Sequence, residues 1–131
     1  MKIFINILSL FLLLFMVQSC NNEIKKNENL IYFKAKFITE IGNDDYEKYL
    51  NDIQQKINIQ YFNEIIFVQK ITEVNSCGEY LENIDIINDT IFLRYDLISK
   101  EVCTSTMFEK LSYMINNPSN KKYHFTFKEW K

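Results

Sequence analysis

Glycine, proline, histidine, alanine and arginine are all scarce in this 131-residue chain: two Gly, one Pro and one His, with Ala35 and Arg94 the lone members of their types. Each scarcity excludes something. One histidine, His124, cannot build a multi-histidine metal centre and leaves few ways to assemble a histidine-based triad. Gly42 and Gly78 are too few and too far apart for a phosphate-cradling loop. A formal charge of -2 gives no overall electrostatic reason to bind nucleic acid. No residue set calls for a cofactor. The length fits one domain.

What is abundant is Ile (19), Asn (15) and Lys (14). Their codons are A/T-rich, whereas those of Ala, Gly and Pro are G/C-rich, so the skew reflects coding rather than binding. Lysine is the default cation here, and a lysine cluster carries correspondingly less information.

Met1-Lys2 followed by the apolar run Ile3 to Val17 is too short to span a bilayer, which needs roughly 20 residues, but it fits the charged start and apolar core of a secretory signal. Val17-Gln18-Ser19-Cys20 then gives way to polar Asn21-Asn22-Glu23. A cysteine directly after a small residue at this point resembles the lipobox of bacterial lipoproteins, and the coding bias resembles small lipoproteins of Bacteroidota. The resemblance covers about twenty residues. It implies diacylation of Cys20 (a palmitate-type anchor) and removal of residues 1–19. The protein would then sit on an envelope membrane, outer or other, facing the periplasm or the cell surface. An ordinary signal peptide with an unrelated cysteine is the alternative. Two or three acyl chains hold a protein stably where one does not. The mature chain would have 112 residues, 14 of them basic and 17 acidic. Residues 20–29 are polar and aperiodic, a tether. Residues 30–131 form a single domain, long enough for a hydrophobic core.

Within that domain Phe33, Ala35 and Phe37 alternate with Lys34 and Lys36, predicting a half-buried strand over 31–38. Asp44 with Glu47 resembles a capping box, and Tyr46, Tyr49, Leu50, Ile53 and Ile57 follow at helical spacing, predicting a helix over 45–58. Residues 64–74 read as a strand. Residues 84–87 and 90–95 flank Asn88-Asp89 as a hairpin. Thr106 with Glu109 offers another capping box, and Phe108, Leu111 and Ile115, joined by Met107 and Met114, predict a second helix ended by Pro118. Tyr123, Phe125 and Phe127 alternate in a last strand. The expected class is α+β: a two-layer domain with a mostly antiparallel sheet of about five strands and two helices, in the order β-α-β-β-β-α-β.

Cys77 and Cys103 are an even pair in an exported domain and predict a disulfide. Closing that 27-residue loop is worth roughly 3 to 4 kcal/mol in the chain-entropy model. Either cysteine as a nucleophile with His124 as base is the sharper alternative. Glu79, Glu82, Asp85 and Asp89 lack the spacing of a calcium loop, so no metal is assigned. Lys121-Lys122 and Lys128 to Lys131 form a small basic end. Asp89-Thr90-Ile91 resembles the Asp-Ser/Thr-aliphatic acceptor of Bacteroidota O-glycosylation, which makes Thr90 a modification candidate. Tyr95, Tyr123, His124 and Trp130 are the candidate binding surface. The leading expectation is a lipid-anchored envelope protein that binds a protein partner, as an accessory of an envelope complex or as an immunity-type protein. A small envelope hydrolase and a glycan or small-ligand binder are the competing readings.

Overall fold

A computed structural model describes residues 25–52 and 56–128. The expected signal, Cys20, residues 53–55 of the first expected helix, and Trp130 lie outside the described residues. The elements run β1 (Leu30–Glu40), α1 (Tyr46–Asp52), β2 (Asn58–Phe62), β3 (Ile65–Asn75), β4 (Tyr80–Ile87), β5 (Thr90–Leu97), β6 (Thr106–Asn116) and β7 (His124–Lys128). They form a four-stranded sheet, β1-β6-β3-β2, and a three-stranded sheet, β4-β5-β7. Only the β5·β7 pair is parallel.

The α+β expectation with two helices is therefore corrected: the domain is mostly β, with seven strands in two sheets and one short helix. Residues 106–116 are a strand, not a helix. Their sequence carries both periods, because Phe108, Leu111 and Ile115 fit a helical stripe while Leu111, Tyr113 and Ile115 alternate. Tertiary pairing decides between them. β6 is central in its sheet, hydrogen-bonded to β1 on one side and β3 on the other, and its alternating residues Leu111, Tyr113 and Ile115 are fully buried. The capping-box residues serve across elements instead: the Thr106 hydroxyl pairs with that of Tyr46 at 2.7 Å, and Glu109 accepts from Tyr95 at 2.9 Å.

The first helix is described over Tyr46–Asp52, and it does not reach residue 58 as the spacing predicts: residues 56–57 are not helical and β2 begins at Asn58. The short strand β2 has no counterpart in the expected order. Its five residues hold only two inward positions, Ile59 and Tyr61, opposite Val68 and Ile66. The other strands overlap the segments expected for them, and Asn88 takes the left-handed conformation (φ 54°) of the expected hairpin turn.

The two sheets face each other across one core. Ile66 and Val68 from β3, Ile84 from β4, Ile91 and Leu93 from β5, and the β6 residues above are all inaccessible to solvent. Phe33, Ala35, Tyr123, Phe125 and Phe127 pack at its margins. Tyr113 ties the sheets together, its hydroxyl donating to the Arg94 carbonyl at 3.0 Å and its ring meeting Phe33 edge-on at 4.9 Å. On the outside of the four-stranded sheet, α1 covers one end through Tyr46 and Tyr49 on Phe108. Residues 25–29 lie beside β4, where Asn27 N–H donates to Asn83 Oδ1 at 2.8 Å and Lys26 pairs with Glu82.

A helix would put Leu111 and Met114 on one stripe, whereas the strand sends them to opposite faces. Leu111→Ala should cost roughly 2 to 5 kcal/mol in denaturant unfolding, and Met114→Ala less than half as much. Equal losses would contradict the strand.

Candidate binding end

At one end of the sandwich two connections meet, residues 76–79 between β3 and β4 and residues 98–105 between β5 and β6. The expected bridge joins them: Cys77 and Cys103 are disulfide-bonded, with Cα atoms 5.6 Å apart. Asn75, the last residue of β3, organises both cysteines. Its Oδ1 accepts the Cys77 and Cys103 amides at 3.1 and 3.2 Å, and its Nδ2 donates to the Cys103 carbonyl at 2.5 Å. Ser76 N–H donates to the Ser105 carbonyl at 3.0 Å, extending the β3·β6 ladder into the loops. Ile98 N–H donates to the Glu79 carbonyl at 2.8 Å, and Glu79 N–H to the Ser99 hydroxyl at 3.1 Å. Two loops are thereby fixed as one unit.

Gly78 is required by crowding. A Cβ there would lie 2.6 Å from Leu97 Cδ1 and 2.8 Å from Tyr80 Cε2. Tyr80 in turn stacks on Tyr95 with ring centroids 4.7 Å apart. Burial first, and then the Glu109 carboxylate that accepts its proton, pushes the Tyr95 hydroxyl well above the ordinary tyrosine range. The tyrosine–carboxylate pair thus backs the Tyr80 ring that crowds Gly78.

The end of β5 and the connection after it present large aliphatic side chains to solvent: Leu97, Ile98 and Val102, the last two about half exposed (49 % and 55 %). These residues were not singled out by the sequence. Their signal was a short apolar dipeptide and a lone valine outside any periodic segment, next to a cysteine.

The residues that the sequence did single out are not gathered here. Tyr95 turns inward, as described. Tyr123 and His124 stand at the opposite end, where His124 pairs with Thr90 across β5·β7. Thr90 to Leu97 is the whole length of β5, seven residue steps or about 23 Å. His124 and the bridged sulfurs therefore do not meet, and both thiols are consumed by the bridge. Thr90 is half-buried beside the exposed Asp89. The acidic series is dispersed into separate pairs: Glu82 with Lys26, Asp85 with Arg94, and Asp89 with Lys121. The Lys121 ammonium, by hydrogen bond and charge, holds the Asp89 carboxyl below its usual range. Among the described residues no group of three His, Cys, Asp or Glu side chains could hold a metal ion. No family model, curated protein or solved structure matches the chain.

Because the folded pKa of Tyr95 lies above the unfolded value of 10.0, its contribution to stability is full below that pH and is lost as pH rises beyond it. The thermal midpoint should fall as pH rises through this range, and Tyr95→Phe should shrink the fall. An unchanged fall would mean that this hydroxyl is not protected in the fold.

Proposed function

We propose that this chain is a lipid-anchored cell-envelope protein that acts by binding a protein partner through its stapled end. It would serve as an accessory of an envelope complex or as an immunity-type protein. The observation that carries the proposal is the set of exposed aliphatic side chains Leu97, Ile98 and Val102 at the end of β5 and on the connection that the disulfide ties to residues 76–79. Loops held on a rigid scaffold are a common seat of recognition. The bridge and the Asn75 contacts remove freedom that a binding loop would otherwise lose on association. The export half of the proposal rests on the Ser19-Cys20 motif. A disulfide between Cys77 and Cys103 is in keeping with it, since such bonds persist mainly in oxidising compartments.

Crosslinking in native membranes followed by mass spectrometry tests the proposal. One dominant protein partner is expected, and Ile98→Asp with Val102→Asp should reduce its yield at least tenfold, because each charge would have to be desolvated in the contact. A partner that survives the double substitution would contradict the assigned surface. Absence of any protein adduct would contradict the binding function.

A further inference from the structure

Four strands end a sheet, β1, β2, β4 and β7, and such edges offer unpaired main-chain groups to another chain. Three of them are guarded. β1 carries Lys34 and Lys36 and two register irregularities. β4 is covered by residues 25–29, where Asn27 N–H donates to Asn83 Oδ1 at 2.8 Å and Asn83 Nδ2 donates to the Lys25 carbonyl at 3.3 Å. β7 ends in Lys128. β2, Asn58-Ile59-Gln60-Tyr61-Phe62, holds no charge, proline or glycine. Its Ile59 and Phe62 are 36 % and 57 % exposed, and the β3 residues beside its outer face, Ile65, Phe67 and Gln69, are uncharged as well.

The open edge of β2 is self-complementary. A two-residue turn at Asn63-Glu64, with Asn63 left-handed (φ 49°), closes the hairpin on the Phe62–Ile65 pair. By alternation Phe62, Gln60 and Asn58 bond β3, and the N–H and C=O groups of Ile59 and Tyr61 point to the open edge. An antiparallel second copy that uses those groups and all five residues has one register: Ile59 opposite Tyr61, Gln60 opposite Gln60, Asn58 opposite Phe62. A twofold axis then passes through the Gln60 pair. The charged residues that flank β2 on the chain are Lys56 before it and Glu64 after it, both exposed. The same axis brings Lys56 of each copy to Glu64 of the other, once at each end of the contact. Among the described residues neither makes an ion pair within its own chain. The other cation at this edge is Lys122, whose ammonium stands 3.5 Å from the Tyr61 ring centroid. The register keeps the two Tyr61 rings two residue steps apart along the strands, about 7 Å, so the two ammonium groups do not meet. β1 paired with itself about Ala35 would instead set Lys34 against Lys36, directly opposed like charges that repel.

We propose that two copies of this chain associate edge to edge through β2, joining their four-stranded sheets into one sheet of eight strands. The inference stands apart from the anchor and from the partner surface. β2 pairs with the first half of β3, whereas the stapled loops follow the far end of β3. Each copy therefore keeps its stapled end open. Five residues span about 17 Å, a small contact beside that of a permanent dimer, so the association is reversible and concentration-dependent.

Gln60→Cys tests this in the full-length chain, in whole cells treated with a membrane-permeant oxidant. Directly opposed residues of a non-hydrogen-bonded pair have Cα atoms about 4.5 Å apart, within the range of a disulfide. A reducible dimer linked from position 60 to position 60 is expected by non-reducing gel and peptide mapping, about fivefold or more above that of Lys36→Cys on the guarded edge. Asn58→Cys should not link to itself, yet should link to Phe62→Cys when the two chains are expressed together. Lys56→Glu added to Gln60→Cys should lower the linked fraction about threefold, the scale of exposed ion pairs, and Glu64→Lys added to both should restore it. No excess of Gln60→Cys over Lys36→Cys, with the Cys77–Cys103 bridge intact by peptide mapping, overturns the pairing. Self-linkage of Asn58→Cys as readily as of Gln60→Cys overturns it as unregistered collision. Adducts of Gln60→Cys with another protein in place of a second copy overturn it in favour of a strand supplied by a partner.

Discussion

The antiparallel pairing of β3 with β6 is the contact on which the rest of the molecule depends. It runs without a register shift from Ile65 opposite Asn116 to Asn75 opposite Thr106. β6 carries β1 on its other side, and β3 carries β2, so the four-stranded sheet exists only through this pair. Its inward residues supply half of the core, with Ile66 and Val68 facing Ile115 and Tyr113. The ladder brings together residues some forty positions apart, which delays its formation in folding because loop closure precedes the reward. The Cys77–Cys103 bridge lies just past the Asn75–Thr106 pair and locks the end of the ladder.

That end owes its rigidity to the same pairing. Asn75 closes β3 and, through one side-chain amide, sets the position of both cysteines. The loops are therefore a continuation of the sheet rather than appendages to it. The chemical contrast between regions follows from where the strands lead. One end gathers the aliphatic side chains Leu97, Ile98 and Val102 beside the Tyr95–Glu109 pair. The outer face of the four-stranded sheet carries Lys34, Lys36 and Lys110 together with α1 and the exposed Glu73.

Much of the fold was legible in the sequence where a single period was present. β1 and β7 were marked by alternation, β3 by its richness in Ile, Val, Phe and Thr, and the β4–β5 hairpin by Asn88-Asp89 between two apolar runs; the disulfide followed from an even pair of cysteines. Residues 106–116 were not legible, since Leu111 and Ile115 satisfy both the helical and the extended period. Only long-range pairing on both edges of β6 resolves them. β2 escaped notice because five residues with two inward side chains give almost no pattern. At the candidate binding end the cysteines were legible and the side chains they position were not. Nothing in Leu97-Ile98 or Val102 states that a fold will leave them at the surface. Of the candidate surface Tyr95, Tyr123, His124 and Trp130, the last lies outside the described residues and the others do not come together. Tyr95 is instead drawn into the core by Glu109, one full strand away from His124.

Photo-crosslinking from defined positions tests the central claim most directly. A crosslinking side chain at Val102, on the stapled loops, should capture one protein in intact cells. The same group at Thr126, exposed on the outer face of the three-stranded sheet, should capture none. Capture from Thr126 with none from Val102 would contradict the assignment of the stapled end as the partner surface.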